Sequence, residues 1–193
     1  MEGVSSSVTY FNRSGRENTD DIVEIAYGRL KEGDIKSVVV ASNSGITGLK
    51  FAKKMARETN LVVVSLHPGA RSAPGVWKFD LNILKELESM DCRVIRHSHI
   101  LSGLDRSIST KFSGISHVEF LAEALRCLFG VGMKVAIECA IMAADSGSIP
   151  IEKTIAVGGT AGGADCAVVV WPSHTNNFFD FRVLELLAKP FRR

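Results

Sequence analysis

Five short runs of the chain, Ser37 to Ala41, Leu61 to Leu66, Arg93 to Arg96, Thr154 to Val157 and Ala167 to Trp171, are rich in Val and Ile and nearly continuously apolar. A strand with one face in water alternates apolar and polar residues, whereas a strand covered on both faces does not. Runs of this kind call for a sheet with protein on both sides. Helical patterns at Asp20 to Leu30, Ile46 to Glu58 and Asp80 to Met90 precede and separate the first three runs. The resulting β-α-β-α-β order is that of a parallel, doubly wound α/β sheet.

Two features modify that plan. The last two runs are joined only by GGTAGGAD, Gly158 to Asp165. A parallel crossover needs a dozen or more residues, so the link predicts a hairpin, an antiparallel last strand and a mixed sheet. In the middle of the chain, Ser116-His117-Val118-Glu119 has the form of a capping box. Val118, Leu121, Ala122, Leu125, Leu128 and Phe129 then share one helical face. After Gly130 and Gly132 a second helix is expected from about Lys134 to Asp145, apolar on most sides and therefore central, with Gly147 as its stop. The segment HPGARSAPGVW, His67 to Trp77, reads as a mobile loop.

At 193 residues the chain suits a single domain, 1–193, whose core needs no disulfide or metal. No segment has the long uncharged apolar run of a membrane span, and MEGVSSSVTY lacks the apolar centre of a signal peptide, so a cytoplasmic protein is expected. The formal net charge is +2 with interspersed signs, apart from the tail Lys189 to Arg193, which argues against a nucleic-acid partner. Cys92, Cys127, Cys139 and Cys166 stand far apart in apolar surroundings and read as buried, reduced thiols.

The segment VVVASNSGITG, Val38 to Gly48, combines a strand end, small polar residues and a helix start. The hydroxyls of Ser42, Ser44 and Thr47, the Asn43 amide and the Gly45 backbone suit a phosphate at the unpaired N–H groups of that helix. Ser and Asn are equally the ordinary N-cap residues, and both readings stand. The four glycines Gly158, Gly159, Gly162 and Gly163 have a similar double reading, as turn residues or as backbone that a flat or anionic ligand can approach.

Familiar nucleotide fingerprints are absent. Gly130-Val131-Gly132 opens like GxGxxG, but Val135 stands at the third glycine position and a helix precedes it. Gly158 and Gly163 have P-loop spacing, yet Ala164 and Asp165 replace the Lys and Ser or Thr. His97 and His99 form an H-x-H pair without a third ligand at suitable spacing, so no metal is expected. Glu138, Met142 and Asp145 share a face of the central helix. Glu138 needs a partner there, with Arg96 or Arg106 as candidates for a structural ion pair, while Asp145-Ser146-Gly147 is placed to reach a ligand. SHILSGLDRSIS, Ser98 to Ser109, follows the third strand, where open α/β sheets bind ligands, and Arg106 suits an anion. The plainer reading is a surface loop with a short helix. In PSHTNNFFD a helix cap at Asn176 or Asn177 is the simplest reading.

Taken together, YFNRSGRENT, VVVASNSG, SHILSGLDRSIS, IMAADSGSIP, AVGGTAGGAD and SHTNNFFD resemble a largely archaeal family of stand-alone proteins related to the C-terminal α/β domain of pyruvate kinase. The resemblance covers nearly the full length. It implies a three-layer α/β/α sandwich with a mostly parallel mixed sheet, and bound flavin mononucleotide (FMN). In pyruvate kinase itself the loop matching Ser42 to Thr47 holds a sugar phosphate beside a glycine-rich hairpin that matches Gly158 to Gly163. The Trp-Arg start of that hairpin is missing here, and so is the catalytic barrel, so the resemblance does not imply a kinase. It implies a phosphate at Ser42, Asn43, Ser44, Gly45 and Thr47. Further FMN contacts are expected from His67, from Ser98, His99, Ser102, Gly103 and Arg106, from Asp145, Ser146 and Gly147, and from Gly158, Gly159, Gly162, Gly163 and Asp165. Two functions follow as expectations: an FMN-binding protein working as a flavin oxidoreductase, or a homo-oligomeric regulatory module that senses a phosphorylated metabolite without catalysis.

Overall fold

The computed structural model describes residues 3, 5–70 and 72–192. Arg71 of the expected mobile loop and Arg193 of the basic tail lie outside them. The chain forms an α/β/α sandwich around a seven-stranded sheet of order β1-β7-β6-β5-β2-β3-β4. The strands are β1 (Thr9–Phe11), β2 (Ser37–Ala41), β3 (Asn60–Leu66), β4 (Arg93–His97), β5 (Thr154–Gly158), β6 (Cys166–Trp171) and β7 (Arg182–Pro190). The helices are α1 (Thr19–Leu30), α2 (Ile46–Met55), α3 (Leu81–Ser89), α4 (Gly103–Phe112), α5 (His117–Phe129) and α6 (Val131–Asp145).

The continuous apolar strands have the expected physical cause. Val38, Val40, Leu61, Val63, Ile155 and Val157 point into one core with Ile22, Phe51 and Leu87 of α1, α2 and α3. The intervening Val39, Val62 and Val64 point the other way, against Cys139, Met142 and Ala143 of α6. Ala156, Val168 and Val170 meet Met133, Ile137 and Ile141 of the same helix. One helix thus covers most of one face of the sheet, which is why α6 is buried on nearly every side.

β2, β3, β4 and β5 are mutually parallel, and the glycine-rich link makes β5 and β6 an antiparallel hairpin as expected. β6 is not the last strand. β7 returns antiparallel to it and β1 adds in parallel at the edge, so β6 alone opposes the other strands. β7, RVLELLAKP, mixes charges into its apolar pattern, and β1 is a short edge strand of TYF, so neither has the continuous run that marks the inner strands.

Three further expectations need correction. Cys127 is exposed, on α5 at the molecule's surface, while Cys92, Cys139 and Cys166 are buried. The apolar α5 face is likewise open: only Ala122 is buried, and Leu128 is 72% exposed. Ser116 caps α5 by accepting the Glu119 N–H at 3.2 Å, but the Glu119 carboxylate turns to Arg106 instead of closing a capping box. The polar turn after β6 begins at His174, not at Asn176 or Asn177, because Asp145 already accepts the Thr175 N–H. Among the described residues of 67–77, Gly69 N–H donates to Val76 O at 3.0 Å and Trp77 Nε1 donates to Ser65 Oγ at 2.9 Å.

Candidate functional site

Strand order reverses between β2 and β5: the chain runs outward through β3 and β4, then returns through α4, α5 and α6 to the opposite side of β2. Such a switch point leaves a crevice beyond the carboxyl ends of the strands. A cavity of about 390 Å³ lies there, walled by Ser42, Asn43, Ser44 and Thr47 after β2, by Gly159 and Gly163 after β5, and by the first turns of α6.

Three backbone segments border this space. In the loop entering α2, Ser42 N–H is taken by Val64 O and Gly48 N–H by Ser42 Oγ at 3.2 Å. Among the described residues, the amides of 43–47 have no protein acceptor. Gly45 permits that shape: its φ is +93°, and a Cβ there would lie 2.6 Å from Ile83 Cγ2. The second segment is the start of α6, where the amides of 131–133 are left open in the same way and Val131 reaches the cavity. The third is the hairpin loop, which contributes Gly159, Ala161, Gly162 and Gly163. Two helix N-termini converging on one cavity reinforce each other's attraction for an anion. Val64, Leu66, Val135 and Met142 give the cavity an apolar patch, beside the polar Ser65, His99 and Glu138.

A second, more open compartment of about 830 Å³ adjoins the first and shares Leu66, His99, Val131, Val135 and Glu138 with it. His67, Ser98, Ser102, Gly103 and Arg106 line this compartment, together with Arg126 and Lys134. Ser42, Asn43, Ser44, Thr47, Gly159, Gly162, Gly163 and His99 meet in the first. Gly45 shapes the loop from behind. Gly158 packs under α6, where a Cβ would lie 2.1 Å from Gly132 O.

Asp165 is fully buried behind the hairpin loop, where its Oδ2 accepts Gly15 N–H at 2.9 Å and Thr160 N–H at 3.2 Å. It holds the loop and does not line either compartment. Asp145, Ser146 and Gly147 are not brought to the cavity at all. They sit at the far end of α6, roughly 20 Å from its first turn. Arg93 Nη1 donates to Gly147 O there, and Asp145 binds His174 and Thr175.

Glu138 has different partners from those expected. Arg96 stacks over Trp77 and Arg106 pairs with Glu119. The Glu138 carboxylate instead takes Lys134 Nζ, one turn earlier on α6, His99 Nδ1 at 3.3 Å and Leu101 N–H at 2.9 Å. Burial alone would raise its pKa, but these hydrogen bonds and charges outweigh that and hold it down at about 2. Burial lowers the Lys134 pKa. Sequence reasoning missed Lys134, Val131, Val135 and Leu66. A signal was present, since 131, 134, 135, 138 and 142 fall on one helical face behind Gly130. No protein-family model matches the chain.

Proposed function

We propose that this protein binds a phosphorylated ligand in the switch-point crevice, and that the ligand is FMN. The convergence of the α2 and α6 N-termini on one cavity carries the reading, because it supplies unpaired N–H groups from two directions and the hydroxyls of Ser42, Ser44 and Thr47 beside them. The residues fit such a ligand. The phosphate would be held by residues 42–47, and the apolar patch of Val64, Leu66, Val135 and Met142 suits a flat ring. FMN, when bound, supplies the redox chemistry of its flavin, and the chain supplies binding, orientation and electrostatics.

Replacing Ser44 and Thr47 together by Ala is expected to weaken FMN binding roughly 10- to 100-fold, as the loss of one or two hydrogen bonds to a charged group does. Riboflavin, which lacks the phosphate, is expected to bind both forms about equally. A fluorescence-quenching titration reads both. Equal losses for the two flavins would show that the loop does not hold the phosphate.

The proposal includes a cytoplasmic homo-oligomer. No helix among the described residues is long and apolar enough to cross a membrane. Leu104, Phe112, Ile115, Phe120 and Leu128 of α4, α5 and their link are all more than two-thirds exposed, which suits contact with a second copy.

A further inference from the structure

His99 stands on the wall common to the two compartments, and its side chain is 27% exposed. Its Nδ1 faces Glu138 Oε2. An ionised carboxylate only accepts, so Nδ1 carries the hydrogen and the neutral ring keeps its lone pair on Nε2. No described protein atom hydrogen-bonds Nε2. Glu138 is itself immobilised, being 2% exposed and held by Leu101 N–H and Lys134. A buried acid that fixes the tautomer and direction of an imidazole is the arrangement that prepares a proton-transferring histidine.

We propose that His99 is the proton-exchanging residue of the crevice, presenting Nε2 to a bound phosphate ester, with Glu138 as its positioning residue. This rests on the reading of the crevice as a phosphorylated-ligand site. Charge balance sets the direction of exchange. Lys134 and Glu138 form a pair that is neutral overall, and an anion entering the crevice brings a charge that a proton on His99 offsets. The entering ligand brings that charge, a proton from solvent joins Nε2, and the imidazolium then has Glu138 on one side and the anion on the other.

The other charged and titratable groups around the ring are already tied or lie in the outer compartment. Arg106 of α4 pairs with Glu119, and Arg126 of α5 pairs with Glu123. Asp105 accepts from Ser116, and His97 of β4 bonds Ser98 O. His67, whose ring centroid is 6.1 Å from that of His99, bonds Pro68 O through Nδ1.

Calorimetric titration with FMN and, separately, with inorganic phosphate, in buffers of differing ionisation heat at neutral pH, counts the protons taken up on binding. The wild-type protein is expected to take up a fraction of a proton with either probe. His99→Gln should abolish that uptake while lowering affinity by no more than about tenfold, the loss of one charge-assisted contact. Glu138→Gln should reduce the uptake and shift the His99 tautomer toward Nε2–H, seen in long-range ¹H–¹⁵N correlations. If that variant does not fold, the wild-type spectrum decides, because an Nε2–H tautomer in the free protein overturns the proposal. Uptake that persists in His99→Gln overturns it too. Phosphate binding with His99-dependent uptake, but no FMN binding, upholds the role of His99 and removes the flavin reading. FMN binding without uptake does the reverse, and failure of both probes to bind overturns both.

Discussion

Gly132 packs tightly against Asp165 and Cys166 behind the site. A Cβ on Gly132 would fall 2.3 Å from Asp165 Oδ1 and 2.7 Å from Cys166 Cβ, with no flexible end to yield. Gly132→Ala is therefore expected to cost about 3 kcal/mol in denaturant unfolding, at the upper end of overpacking costs. Asp165 has a different liability. Burial raises its pKa above the ordinary 3.8, and its Oδ1 has no hydrogen-bond partner. A carboxyl that binds its proton more tightly when folded gives stability that is full at low pH and declines as the pH rises from 3.8 through its raised value. Asp165→Asn keeps an acceptor for Gly15 and Thr160 without the charge, so it should flatten that decline in pH-dependent unfolding. Asp165→Ala leaves both amides unpaired and should cost about 1–3 kcal/mol.

Arg29 shows how one side chain fastens an element that the strand pattern did not announce. It is buried near the end of α1, donates through Nε and Nη2 to the Glu185 carboxylate of β7, and through Nη1 to Asp34 Oδ1 at 2.6 Å. The fork–fork geometry with Glu185 is the strong form of the contact. Both acids are partly exposed, at 26% and 41%, and regain water if the Arg is lost. Arg29→Met is therefore expected to cost only about 1–2 kcal/mol, below the cost of stranding a fully buried charge. Its signature is local: amide hydrogen exchange in β7 and β1 should accelerate while that of β2 and β3 stays unchanged.

At the scale of the whole molecule, the same reversal of strand order that completes the sheet opens the crevice, so fold and site are one feature. The α4–α5 pair forms the outer wall of the larger compartment and carries the exposed side chains of Leu104, Phe112, Phe120 and Leu128. If a second copy covers them, Phe120→Asp combined with Leu128→Asp should convert the oligomer to a folded monomer, read by light scattering and circular dichroism. A wild-type monomer at micromolar concentration would show that this face has another use.

Much of this was legible in the amino-acid sequence because local rules govern it. Continuous Val and Ile in Ser37 to Ala41 could only be a strand covered twice, and the seven residues between β5 and β6 could only turn back. The α2 loop announced its small polar and glycine residues for the same reason, since a helix start with open amides has a local signature. What tertiary structure alone decided is which local features share a space. The α6 N-terminus faces the α2 N-terminus because β5 pairs with β2, and no local pattern encodes that pairing. The same packing chose Lys134 and His99 over two arginines for Glu138, and carried Asp145 to the far end of α6. A chain specifies its elements through periodicity over a few residues, whereas a site is specified by contacts between residues far apart in sequence.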